Sequence, residues 1–113
     1  MNIFKKIKYT LMYRNAISMA DQAFTATGKR HYVMPTPQGK LMVVDRANFR
    51  ILKRKHYINP HATLPHLAAE CFYHTPHRGG THAMHPDTIK QRKALYWQWA
   101  QLFEKHKKQH KKK

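Results

Sequence analysis

The sequence predicts a small single α+β domain: a long N-terminal helix, a β-hairpin, a basic helix, then a helical C-terminal half ending in a disordered basic tail. Three observations carry this expectation. The opening stretch spaces its apolar residues at helical intervals without a proline or glycine, two β-favouring runs flank a turn-rich segment, and a second long helical pattern opens at Pro86-Asp87. A length of 113 residues with 42% hydrophobic content suits one domain with a modest core and argues against wholesale disorder. The expected boundaries are 1–104 for the domain and 105–113 for the tail.

From Ile3 to about Thr27, Phe4, Ile7, Leu11, Ala16, Ala20 and Phe24 recur at spacings of three to five, which reads as one amphipathic helix with this stripe turned to the core. A helix lying on an anionic membrane, with Phe4, Ile7 and Leu11 inserted, is the functional alternative for the same pattern. Lys5, Lys6 and Lys8 stand at the wrong end for the helix dipole, which suggests a use outside the helix. Gly28 supplies a left-handed C-cap. The runs His31-Tyr32-Val33-Met34 and Leu41-Met42-Val43-Val44 surround Pro35-Thr36-Pro37-Gln38-Gly39-Lys40 and predict a hairpin. Because an isolated two-stranded ribbon is marginal, one face should pack on the preceding helix.

Asp45 is placed to cap a helix over Arg46 to about His56, with Phe49 and Leu52 as its apolar edge. Its other side is basic: Arg46, Arg50, Lys53 and Arg54 share a broad face, where like charges repel unless a polyanion relieves them. Beyond Ile58 the composition shifts to Pro60, Pro65, Pro76, Gly79, Gly80 and Pro86, interleaved with histidines. Leu64 to Tyr73 reads as a short helix with Leu67, Ala68 and Cys71 facing inward, and Thr75 to His85 as a loop. The last helix should run from Pro86 to about Phe103, with Ile89, Leu95, Tyr96, Trp99, Leu102 and Phe103 as its stripe and Trp97 freer to stack on unpaired bases. Lys105 to Lys113 holds no apolar residue and repels itself, which predicts a disordered arm.

Charge decides the expected function class. Lys and Arg total 22 against five acidic residues, Asp21, Asp45, Glu70, Asp87 and Glu104, for a formal net charge of +17. Such a surface calls for a polyanion, and nucleic acid is the leading candidate, because each phosphate neutralised by Lys or Arg releases condensed counterions. The expected role is a non-catalytic nucleic-acid-binding accessory protein. Arg46, Arg50, Lys53 and Arg54 would form the fixed phosphate-contacting face, and Lys105, Lys107, Lys108, Lys111, Lys112 and Lys113 the mobile arm. Nothing in the pattern separates DNA from RNA.

The sharpest competitor is a zinc-stabilised protein-interaction module on the histidine-rich loop. Cys71-x-x-His74-x-x-His77 followed by His82-x-x-His85 places thiolate and imidazole donors around Gly79-Gly80, although the spacing departs from the finger pattern. A structural component of a ribonucleoprotein or virion is a third reading. Arg78-Gly79-Gly80-Thr81 carries a weaker hint of a backbone anion site. For catalysis, the carboxylates near the histidines are only Glu70 and Asp87, and Cys71 beside His74 lacks the context of a nucleophile and its base, so no enzyme is expected, with a metal-dependent nuclease as the remaining catalytic alternative. With Cys71 as its single cysteine and no apolar run of membrane-spanning length, the chain reads as cytoplasmic and not integral to a membrane.

Overall fold

The computed structural model describes residues 1–111. Element order is α1 (Ile3–Thr27), β1 (Tyr32–Pro35), β2 (Leu41–Val44), α2 (Arg46–Arg54), α3 (Leu64–Glu70), β3 (Tyr73–His74) and α4 (Pro86–Lys111), with a single 3-10 turn at Arg78–Gly80. This is the α+β architecture that the sequence pattern predicts.

Local chemistry sets most of the element ends. Asn2 caps α1 by accepting from the Lys5 amide at 2.9 Å, and Gly28 ends it at φ 71, its own amide donating to the Phe24 carbonyl at 2.7 Å. Asp45 caps α2 as expected, accepting from the Asn48 amide at 2.8 Å. The short third helix stops at Glu70 rather than reaching Tyr73, because Tyr73 and His74 pair with β1 instead and complete an antiparallel sheet of order β2-β1-β3. A strand this short carries no pattern of its own. It is held by backbone bonds at its flanks, from the Phe72 amide to the Val33 carbonyl and from the Thr75 amide to the His31 carbonyl, each 2.9 Å.

Alternation along the strands sends side chains to two cores. Val33, Leu41 and Val43 face α1 and α4, while Tyr32, Met34, Met42 and Val44 face α2 and α3 with Phe49, Leu67 and Cys71. Both faces of the sheet are therefore covered, where the sequence suggested only one. The hairpin turn also meets α4: Gly39 is buried at φ +79, and a Cβ there would run into the Phe103 ring.

Two helices face differently from the expected stripes. In α1 the buried row is Tyr9, Tyr13, Ala16 and Ala20, whereas Phe4, Ile7 and Leu11 point to solvent. The tyrosines win because each buries a large ring while its hydroxyl finds an acceptor: Tyr13 donates to the Phe72 carbonyl at 3.0 Å and Tyr9 to Glu104 Oε1 at 2.8 Å. In α4 the buried row is Tyr96, Ala100 and Glu104, and Leu95 and Leu102 are exposed. Tyr96 donates to the Tyr9 carbonyl at 2.6 Å, closing α4 onto α1.

The helix also continues past Phe103, where a disordered arm was expected: residues through Lys111 remain in α4, and Lys112 and Lys113 lie outside the described residues. Two forces favour the extension. Glu104 is buried and accepts from both Tyr9 and the Lys5 ammonium, the latter at 2.7 Å, which fixes the helix beyond the expected end. Lysine and glutamine are good helix formers, and cations suit the negative end of the dipole.

The Lys5 hydrogen bond, reinforced by Tyr9, holds the Glu104 carboxyl below the ordinary carboxylate range, against the opposing effect of burial. A depressed folded-state pKa stabilises above the unfolded value of about 4.3 and loses that contribution as pH falls through the folded one. Glu104→Gln should therefore be less stable than wild type near neutral pH, by about 1–3 kcal/mol, with the gap narrowing in acid. Urea midpoints at neutral pH and near pH 3 check this.

Candidate functional site

A cleft of about 650 Å³ opens where the segment after α1, the first turns of α2, the start of α3 and the turn at His77-Arg78 meet. Its charge is one-sided. Lys29, Arg30, Arg46, Arg50 and Arg78 line it against a single carboxylate, Asp45, which is already engaged as the cap of α2. The remaining wall is apolar, from Ala47, Leu64, Pro65, Ala68 and the edge of Tyr32. A cavity of this size with convergent polar groups on an apolar lining has the anatomy of a ligand site.

Each cation is positioned by a different part of the fold. Arg46 and Arg50 are one helical turn apart on α2, so they share a row. Lys29 and Arg30 follow directly from the left-handed Gly28, which turns the chain out of α1. Arg78 lies across Gly28 so closely that a Cβ there would stand 3.3 Å from its Nε. Arg30 in turn donates to the His82 carbonyl at 2.6 Å, tying the histidine-rich loop to the same segment. Its Nε is buried with no hydrogen-bond partner among the described residues. An orphaned guanidinium donor at a cationic wall leaves the site short of acceptors.

The predicted basic face of α2 is divided. Arg46 and Arg50 line the cleft, whereas Lys53 folds back with its ammonium 5.5 Å from the Phe49 ring centre, and Arg54 is exposed outside the lining. Of the predicted arm, Lys105 stands beside Met1, Asn2 and Lys5, away from the cleft lining, and Lys107 is exposed. Lys108 and Lys111 belong to the backbone of α4, and Lys112 and Lys113 fall outside the described residues. Lys29 and Arg30 were not among the expected site residues, and Arg78 entered only through the weaker hint of a backbone anion site at Arg78-Gly79-Gly80-Thr81. The available signals were the Lys-Arg pair directly after a helix-ending glycine and an arginine beside Gly79-Gly80.

The five expected zinc ligands do not converge. Cys71 is buried, its Sγ 3.8 Å from both the Ala68 carbonyl and an Arg92 guanidinium nitrogen, and burial pushes the thiol pKa up, so it stays protonated. His74 engages the Thr75 carbonyl through Nδ1 at 2.9 Å, and His77 meets His82 edge to face with ring centres 5.5 Å apart. His85 accepts from the Asp87 amide at 3.1 Å. Among the described residues, no group of three or more His, Cys, Asp or Glu is arranged to hold a metal ion. The loop is organised around Arg30 and Arg78 instead, and His77 becomes part of the cleft wall. Burial, then the Arg30 charge and His82, lower the His77 pKa, so the imidazole is neutral at pH 7.

No family model, curated protein or solved structure matches this chain.

Excess EDTA should leave the thermal midpoint unchanged, and added zinc should not raise it. A fall of several degrees on chelation, reversed by zinc, would mean that the loop rearranges around a metal.

Proposed function

We propose that this protein is a non-catalytic nucleic-acid-binding accessory protein that holds the sugar-phosphate backbone in the cationic cleft. One observation carries the reading: five cations from three separate segments line one concavity whose only carboxylate is already engaged. Arginine supplies planar forks suited to phosphate oxygens, and the convergence of Arg30, Arg46, Arg50 and Arg78 favours a ligand of high charge density. The apolar side formed by Leu64, Pro65 and Ala68 suits a sugar or base edge, which a bare inorganic anion would leave unused. A concavity of this volume fits one or two nucleotide units more readily than the full width of a duplex. The buried, protonated Cys71 supports a binding role over thiol chemistry.

The wider charge adds attraction at longer range. A net +17 raises encounter rates with any polyanion, an effect screened within about 10 Å at 0.1 M salt. Lys105 and Lys107 contribute to this general field, whereas the cleft supplies the fixed contacts.

Fluorescence anisotropy of the full chain with single-stranded DNA, single-stranded RNA and duplexes, measured against salt, tests the reading. Arg46→Ala, Arg50→Ala and Arg78→Ala should each weaken binding and lower the salt slope by about one. A paired Lys105→Ala, Lys107→Ala change should act more weakly. If the cleft substitutions leave affinity and slope untouched, the proposal fails and the charge is a generic surface property.

Acidity supplies a second check. A bound phosphate reverses the field at His77, raising its pKa in the complex above that of the free protein, so binding should tighten as pH falls from 7.5 to 5.5. His77→Gln should reduce this dependence. Equal affinity across the range would overturn the expectation.

A further inference from the structure

The first three turns of α1 carry an apolar row that the fold leaves outside. Phe4, Ile7 and Leu11 are 79%, 52% and 51% exposed, and Ile3 beside them is 66% exposed. Their spacings of three and four place them in one line, about half a turn around the helix from the buried Tyr9 and Tyr13 at roughly 100° per residue. Lys8 borders the row on one side and Arg14 on the other, and no acidic residue occurs between Met1 and Ala20. Lys5 turns away to Glu104. The same helix thus has one apolar face for the core and a second facing solvent.

We propose that this outer face of α1 is a peripheral binding surface for an anionic lipid bilayer. Phe4, Ile7 and Leu11 enter the boundary between headgroups and acyl chains, while Lys8 and Arg14 remain at the level of the lipid phosphates. The row is a convex ridge of about 10 Å along one helix, a shape that meets a plane over its whole length. Its basic borders complement anionic headgroups and have long stems that keep the charge in water while the apolar row sinks. A second copy of the chain would set Lys8 and Arg14 against themselves on a molecule already carrying +17. Nucleic acid would engage the borders and leave three large apolar side chains in water. No helix among the described residues is long and apolar enough to cross a membrane, so the contact is one of lying on the surface. This surface is separate from the cleft residues and does not rest on the nucleic-acid reading.

Co-sedimentation of the full-length protein with vesicles tests the proposal, using phosphatidylcholine alone and phosphatidylcholine mixed with phosphatidylglycerol. Any strongly cationic chain is drawn to the mixed vesicles at low ionic strength, so the informative condition is about 0.5 M salt, where the Debye length is only a few ångströms. The mixed vesicles should retain bound protein there. A double Phe4→Ser, Ile7→Ser variant should bind at least about tenfold less, with its thermal midpoint and nucleic-acid affinity unchanged, because both positions are exposed. A Phe4→Trp variant should be quenched by lipids brominated on their acyl chains more strongly than wild type, whose Trp97 and Trp99 are half-buried against the core.

Binding that disappears with salt and is identical in the variant would overturn the proposal, leaving only diffuse charge attraction. So would a wild-type dimer, dispersed by the same substitutions, without vesicle binding. Unchanged quenching of Phe4→Trp would also reject insertion.

Discussion

The fold depends on a set of aromatic rings whose tyrosine hydroxyls are all hydrogen-bonded. Tyr13 stacks on Tyr96 with ring centres 4.6 Å apart, Phe72 meets Tyr96 edge-on at 5.4 Å, and Tyr9 and Trp99 close the cluster. Rings alone would give a greasy seam with freedom to slide. The three tyrosine hydroxyls fix the register instead, reaching the Glu104 carboxylate on α4, the Tyr9 carbonyl on α1 and the Phe72 carbonyl just before β3. Burial holds all three phenols in their protonated, donating form, with Tyr13 pushed up to about 12. Because this lock sets α1 against α4 and the approach to β3, it also sets where α1 ends. Gly28, Lys29 and Arg30 leave from that point, and the cleft is built on them.

Much of this was legible because it is written in local chemistry. Asp45 and Gly28 announce their caps, two β-favouring runs flank a turn-rich segment, and Pro86-Asp87 opens α4 where it should. The facing of the long helices was not legible, because α1 carries apolar side chains on opposite sides and spacing alone cannot choose between them. The spacing pattern gave no place to Tyr9 and Tyr13, whose burial depends on their hydroxyl partners, and Glu104 is buried only because Lys5 and Tyr9 come together around it. A buried carboxylate is a tertiary fact. So is β3, whose two residues gain strand geometry only from the neighbouring edge of β1.

The candidate site divides in the same way. Arg46 and Arg50 could be placed on one helix row from sequence spacing, but their companions come from positions that only the fold brings near. The histidine-rich loop invited a metal reading because donor residues close in sequence resemble a ligand set. Convergence in space is a separate requirement, and here the loop's geometry is governed by guanidinium groups: Arg30 bonded to the His82 carbonyl and Arg78 laid over Gly28.

Three of the five carboxylates have internal work: Glu104 with Lys5 and Tyr9, Asp21 accepting from the Tyr73 hydroxyl at 2.7 Å, and Asp45 capping α2. The cations therefore have almost no anions of their own to face, and the counter-charge must come from solution. In the free molecule, folding concentrates like charge, so dissolved salt should support the compact state instead of eroding it through lost ion pairs. A bound polyanion would do the same locally, making the ligand an electrostatic complement to the fold as well as its cargo.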